Sequence, residues 1–106
     1  MTLVEDIYRT TSSFPRDERF GLTAQIRRAA VSIPSNIAEG KRRKRDPVYL
    51  NHLDIALGSQ AEVEVQIEIA TRVGFLNDPD YRRLHAQVEE VGRMLNGLIR
   101  SMQPSS

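Results

Sequence analysis

The strongest constraint on this chain is a heptad seam near its C-terminus. From Tyr81 the apolar residues fall at Leu84, Val88, Val91, Leu95, Leu98 and Met102, in alternating steps of three and four. A strand repeats every two residues, so this spacing predicts a helix over 79–102 whose single apolar stripe must be covered by other helices. Asp78-Pro79 reads as its start, with Pro in the first turn, where a missing N–H costs nothing. Gly92 and Gly97 lower the helix propensity and mark close contacts with neighbouring elements.

Three further helices precede it. Residues 47–73 begin after the same Asp-Pro signal, with Asp46 as N-cap, and end at Gly74. This helix is apolar on two sides. One stripe is Tyr49, Leu53, Ala56, Val63, Ile67 and Ala70, and the other is Ala61, Val65, Ile69 and Val73. An edge helix needs one apolar face, so the second stripe requires a wide contact within the chain or another subunit. Residues 16–40 place Leu22, Ile26, Ala29, Ala30, Ile33 and Ile37 on one face, with Pro15 opening the first turn and Gly40 as a stop. Pro34 removes the bond to the Ala30 carbonyl, yet the apolar phase continues from Ile26 to Ile37. A kinked continuous helix is therefore favoured over two helices. Residues 2–12 form a short first helix carrying Leu3, Val4, Ile7 and Tyr8, ended before Pro15.

Short connections between long helices make neighbours antiparallel. The expected fold is all-α, an up-down-up-down four-helix bundle with a short first helix and a Pro-kinked second. One domain of 106 residues can bury a core without metal or disulfide support, and the chain has no cysteine. The sequence shows neither a signal peptide nor an apolar run near the roughly 18 residues of a membrane span, so a soluble cytoplasmic protein with no membrane partner is expected.

The net charge of +1 hides an asymmetry: residues 1–53 carry ten Lys/Arg against six Asp/Glu, and residues 54–106 five against eight. Half of the first half's cations form one run, Lys41, Arg42, Arg43, Lys44 and Arg45. Adjacent cations repel one another, and helix capping needs only one or two. The run is thus a candidate contact for phosphate backbones, set against its reading as a solvated loop beside a helix C-terminus. Tyr49 is the nearest aromatic, so base stacking is not expected beside it. Gln25, Arg28, Ser32, Asn36 and Glu39 form a polar stripe at steps of three and four, and Gly58, Ser59, Glu62 and Gln66 offer a facing one. These read as a hydrogen-bonded seam that fixes helix register, with Arg28 reaching Glu62 or Glu39; the alternative is a recognition surface. Catalysis is not expected. The chain has two histidines, His52 and His85, no metal-ligand spacing, no Gly-rich phosphate loop and no nucleophile elbow. No cofactor or metal is expected either.

The strings FPRDERFGL, QIRRAAVSIPSNIAEG, LDIALGSQAEVEVQ and MLNGLI, in that order, resemble the bacterial four-helix-bundle family of 23S rRNA intervening-sequence proteins, also labelled an S23 ribosomal protein family. The resemblance spans almost the whole chain and matches at Gln25, Arg28, Ser32, Asn36, Glu39, Gly40, Gly58, Ser59 and Glu62. It implies a homo-oligomer, a ring of five, and kinship with nucleic-acid-binding accessory proteins of diversity-generating retroelements. It implies no catalytic role. The chain departs from the family in a first helix that starts late and in a denser basic run after Glu39-Gly40. The function expected is sequence-tolerant binding of RNA or DNA by a homo-oligomeric bundle; the alternative is a protein-interaction scaffold with an unidentified protein partner.

Overall fold

The computed structural model describes residues 2–43 and 46–102. Four helices occupy them: α1 (Thr2–Thr11), α2 (Leu22–Arg43), α3 (Asp46–Arg72) and α4 (Asp78–Met102), with a 3₁₀ turn, Arg16–Glu18, between the first two. Each helix packs along its neighbours in the cyclic order α1, α2, α3, α4. This is the four-helix bundle expected from the periodicity, drawn out to 47 × 23 × 18 Å.

The second helix differs from its expected bounds at both ends. Pro15 opens only the 3₁₀ turn, in which the Glu18 and Arg19 amides donate to Pro15 and Arg16. The α-helix begins at Leu22, whose N–H donates to Glu18 Oε1 at 3.1 Å. Glu18 thus caps the helix from outside instead of riding in its first turn. At the other end, α2 passes through Pro34 unbroken and continues beyond Gly40 to Arg43. Gly40 is not a stop. A Cβ there would lie 2.7 Å from Tyr49 Cδ1 and 3.0 Å from His52 Cβ, so the glycine is needed where α2 and α3 approach closely.

The other boundaries follow local chemistry. Gly74 has φ +86°, and the amides of Phe75 and Gly74 donate to the Ala70 and Thr71 carbonyls, a Schellman ending for α3. Phe75 then meets Phe14 at 5.7 Å between ring centroids and Leu76 is buried, closing that end of the bundle. Asn77, not Asp78, caps α4: its Oδ1 accepts from the Asp80 N–H at 2.8 Å, which leaves Asp78 and Pro79 inside the first turn.

Ile7, Ile26, Leu53, Val63, Ile67, Leu84, Val88 and Leu95 are the largest fully buried side chains of the core. The seam of α4 is only partly covered, with Val91, Leu98 and Met102 half-buried. The cause is helix length. At 1.5 Å per residue α1 covers about 15 Å and α3 about 40 Å, so α1 roofs only half of the bundle. Beyond its first turn an apolar recess of about 700 Å³ opens between α2 and α4, lined by Val4, Ile33, Pro34, Ile37, Val91 and Met94.

What holds the short helix down is a latch of charge. Buried Asp6 accepts from Arg83 Nε (2.8 Å) and Nη2 (3.0 Å) and from Gln87 Nε2 (2.8 Å), and Thr10 Oγ1 completes the set. The Arg83 guanidinium, more than desolvation, sets the Asp6 carboxyl below its ordinary value of 3.8. A depressed carboxylate stabilises the fold fully above that ordinary value and loses its contribution as pH falls through the folded one. Asp6→Asn is expected to lower the unfolding free energy by about 2 kcal/mol at neutral pH. In urea titrations the gap between the variant and the unmodified protein should close as pH drops below 3.8.

Candidate functional site

The expected site residues separate into three surfaces on α2 and α3. The first is the basic end. Lys41, Arg42 and Arg43 form the exposed last turn of α2, where the helix dipole favours cations; Lys44 and Arg45 lie outside the described residues. Glu39 Oε1 accepts from Arg43 Nε at 3.0 Å and from Arg42 Nη2 at 3.5 Å, and Arg42 is the larger cause of its carboxyl sitting below the ordinary value of 4.5. Lys41 instead borders the apolar recess. Along its whole length α2 carries five cations, Arg27, Arg28, Lys41, Arg42 and Arg43, against the single acid Glu39. The adjacent α3 is the reverse, with Asp46, Asp54, Glu62, Glu64 and Glu68 against Arg72.

The second surface is the polar seam between these helices, and only part of it is a network. Ser59 Oγ donates to Ser32 Oγ at 2.8 Å; Asn36 Nδ2 donates to Ser32 O at 2.9 Å and Oγ at 3.0 Å; Asn36 Oδ1 lies 2.9 Å from His52 Nδ1. This line fixes the register of α2 against α3. Gln25, Arg28 and Glu62 do not join it. Their side chains form no hydrogen bond or ion pair among the described residues, and Arg28 reaches neither Glu62 nor Glu39, which has turned to the basic end. They line a polar recess of about 330 Å³ over Ser32, Ser59 and Gln66. The physical reason is position: Arg28 and Glu62 stand on the outer shoulders of their helices, where water competes for each charge. His52 was not among the expected members, although it sits on the α3 face that carries Ser59, seven residues before it.

The third surface is the second stripe of α3. Ala61 is exposed, and Val65, Ile69 and Val73 are 55%, 44% and 54% exposed, with Ile55 beside them at 45%. About half of each of these valines and isoleucines remains in solvent. Two aromatics are likewise outside. Phe20 is 84% exposed with the Arg19 guanidinium 4.9 Å from its ring centre, and Tyr8, expected on the apolar face of α1, is 44% exposed beneath Arg27 at 4.6 Å. Of the histidines, His52 belongs to the seam and His85 stacks on Tyr81 beside Glu89 and Glu64. Among the described residues no three His, Cys, Asp or Glu side chains gather to hold a metal ion, and no helix is long and apolar enough to cross a membrane.

These geometries separate the two readings of the polar stripe. Arg28→Ala should leave stability within about 0.5 kcal/mol of the unmodified protein, as for a solvated surface side chain. Asn36→Ala removes the partner of His52 Nδ1 and one of the two hydrogen bonds to Ser32 Oγ, and should cost about 1–2 kcal/mol. Chemical denaturation of both variants checks the pair.

Among proteins of curated function none matches the chain. A crystal structure of a protein of unknown function from the S23 ribosomal protein family of Bacteroides thetaiotaomicron VPI-5482 is similar in fold. Its TM-score is 0.79 at 24% identity, over 91% of this chain and 87% of that one. The model of the 23S rRNA-intervening sequence protein family matches residues 1–97, so the sequence blocks that build the α2–α3 seam are those of a family, and this chain belongs to it.

Proposed function

We propose that the chain is a non-catalytic, self-assembling helical bundle that binds RNA or DNA with little sequence preference through the basic outer side of α2. The observation that carries this reading is the charge of that helix. Five cations face one acid, and Lys41, Arg42 and Arg43 crowd its exposed last turn. Glu39 offsets part of that charge and leaves the rest directed at solvent. Guanidinium and ammonium groups on one helix end contact phosphates, which carry no sequence information, so affinity comes from released counterions.

Self-assembly is supported by the bare α3 stripe of Ala61, Val65, Ile69 and Val73, an apolar row that a lone chain has no reason to leave in water. A closed ring, five chains by the family resemblance, would repeat the basic end around an axis and raise avidity. The same stripe also supports a second reading, a scaffold for a different protein with no nucleic-acid role.

Fluorescence anisotropy with labelled RNA and DNA tests the first reading. Affinity should fall steeply with salt. Replacing Lys41, Arg42 and Arg43 together with Gln should weaken binding at least tenfold at low salt. The slope of log K against log salt should flatten by about 0.7–0.9 for each phosphate that is no longer neutralised. No binding by the unmodified protein at low salt would refute it. Light scattering tests assembly: the unmodified chain should give a multiple of the single-chain mass, and Ile69→Asp should return it to one chain.

A further inference from the structure

We infer that the ligand of this basic face is a single strand, whose unpaired bases stack on Phe20 and Tyr8 at the end of α2 remote from the cationic turn. This rests on the nucleic-acid reading above and names the form of nucleic acid that it serves. Both rings are exposed, Phe20 at 84% and Tyr8 at 44%, and each has an arginine over one face, Arg19 at 4.9 Å and Arg27 at 4.6 Å. Arg27 is held in place: its Nε donates to Thr11 Oγ1 at 2.9 Å and its Nη2 to the Tyr8 carbonyl at 3.3 Å. At Tyr8 the ring and guanidinium therefore form a fixed platform, and Phe20 with Arg19 adds a second, freely exposed one. Aromatic and arginine planes together are what sequence-tolerant single-strand binders offer to bases.

The path between the platform and the cationic turn is open. Arg27, Val31, Ala38 and Arg42 recur at steps of four, seven and four, and so lie along one face of α2. Val31 and Ala38 between the arginines are exposed, small and uncharged, and let a sugar–phosphate backbone come close. Glu39 is the only acid of the helix and is turned toward Arg42 and Arg43. The face spans about 22 Å from Arg27 to Arg42, at 1.5 Å per residue. A duplex hides its base faces in the stack, so these rings serve only unpaired bases. A protein partner anchored by Phe20 would be met by apolar neighbours, whereas Arg16, Asp17, Glu18 and Arg19 precede it.

The test uses three labelled probes with the full chain: a dT 12-mer, an abasic 12-mer with the same number of phosphates, and a 12-base-pair duplex. The unmodified protein should bind the dT 12-mer about tenfold more tightly than the abasic strand, the advantage typical of base–aromatic stacking. Phe20→Ala and Tyr8→Leu should each reduce that advantage and leave abasic affinity unchanged. Phe20 touches too little of the fold for its loss to unfold the chain. Equal affinity for the dT and abasic strands, with both abolished on replacing Lys41, Arg42 and Arg43 by Gln, would overturn the stacking proposal while the electrostatic reading stands. Tighter binding of the duplex, or a Phe20→Ala protein that changes its assembly mass but not its strand preference, would also overturn it; the latter marks Phe20 as a protein contact. Absence of binding to all three probes refutes both.

Discussion

The contact on which this molecule depends is the close approach of α2 to α3 at Gly40, where the space for a single Cβ is already taken by Tyr49 and His52. That proximity brings Asn36 within 2.9 Å of His52 and Ser59 within 2.8 Å of Ser32, so side chains as short as serine can bond directly across the helix pair. A bulkier residue at any of these positions would push the helices apart and strand the polar groups on both sides. The Pro34 ring sits on the same helix without interrupting it, since the packing of α2 along α3 holds a helical path that an isolated peptide would break. The remaining helices are added to this pair: α4 partly by Gln60 reaching the Val88 carbonyl, and α1 by Arg27 of α2 on Thr11 and by the Asp6 latch to α4.

Much of this is legible in the sequence because it depends on period. The apolar steps of α3 and α4 predict Leu53, Val63, Ile67, Leu84, Val88 and Leu95 as core, and all are buried. Features that depend on a partner distant in sequence are not legible there. Glycine at position 40 reads equally well as a helix stop or as a close contact, and only the position of Tyr49 decides between them. Glu18 looks like a first-turn acid until the 3₁₀ turn makes it a cap. Tyr8 counts as apolar in any pattern, yet a cation nineteen positions away claims its face. Arg28 and Glu62 have the right spacing to pair but point from the outer shoulders of their helices, and spacing alone does not encode that angle.

Charge is sorted by helix in this protein. The α2 helix is basic, α3 is acidic, and each lies on the surface beside the other. Such a pair gives neighbouring surfaces of opposite sign. It also orients any polyanion toward α2 and away from α3. In the proposed assembly the chain contact falls on the apolar stripe of α3 and the phosphate contact on α2, so the two need not compete.

The brevity of α1 has a further consequence. Half of the bundle is four helices thick and the other half only three, so the protein has a stiff end and a soft one. Backbone amides near Gly40 and Val91 should exchange with solvent through smaller openings than those beneath Ile7, because less buried packing must be given up. The cationic turn is carried on the soft end and the exposed aromatic rings on the stiff one. A partner gripping both would bridge regions of unequal rigidity and would tighten the half of the fold that α1 leaves uncovered.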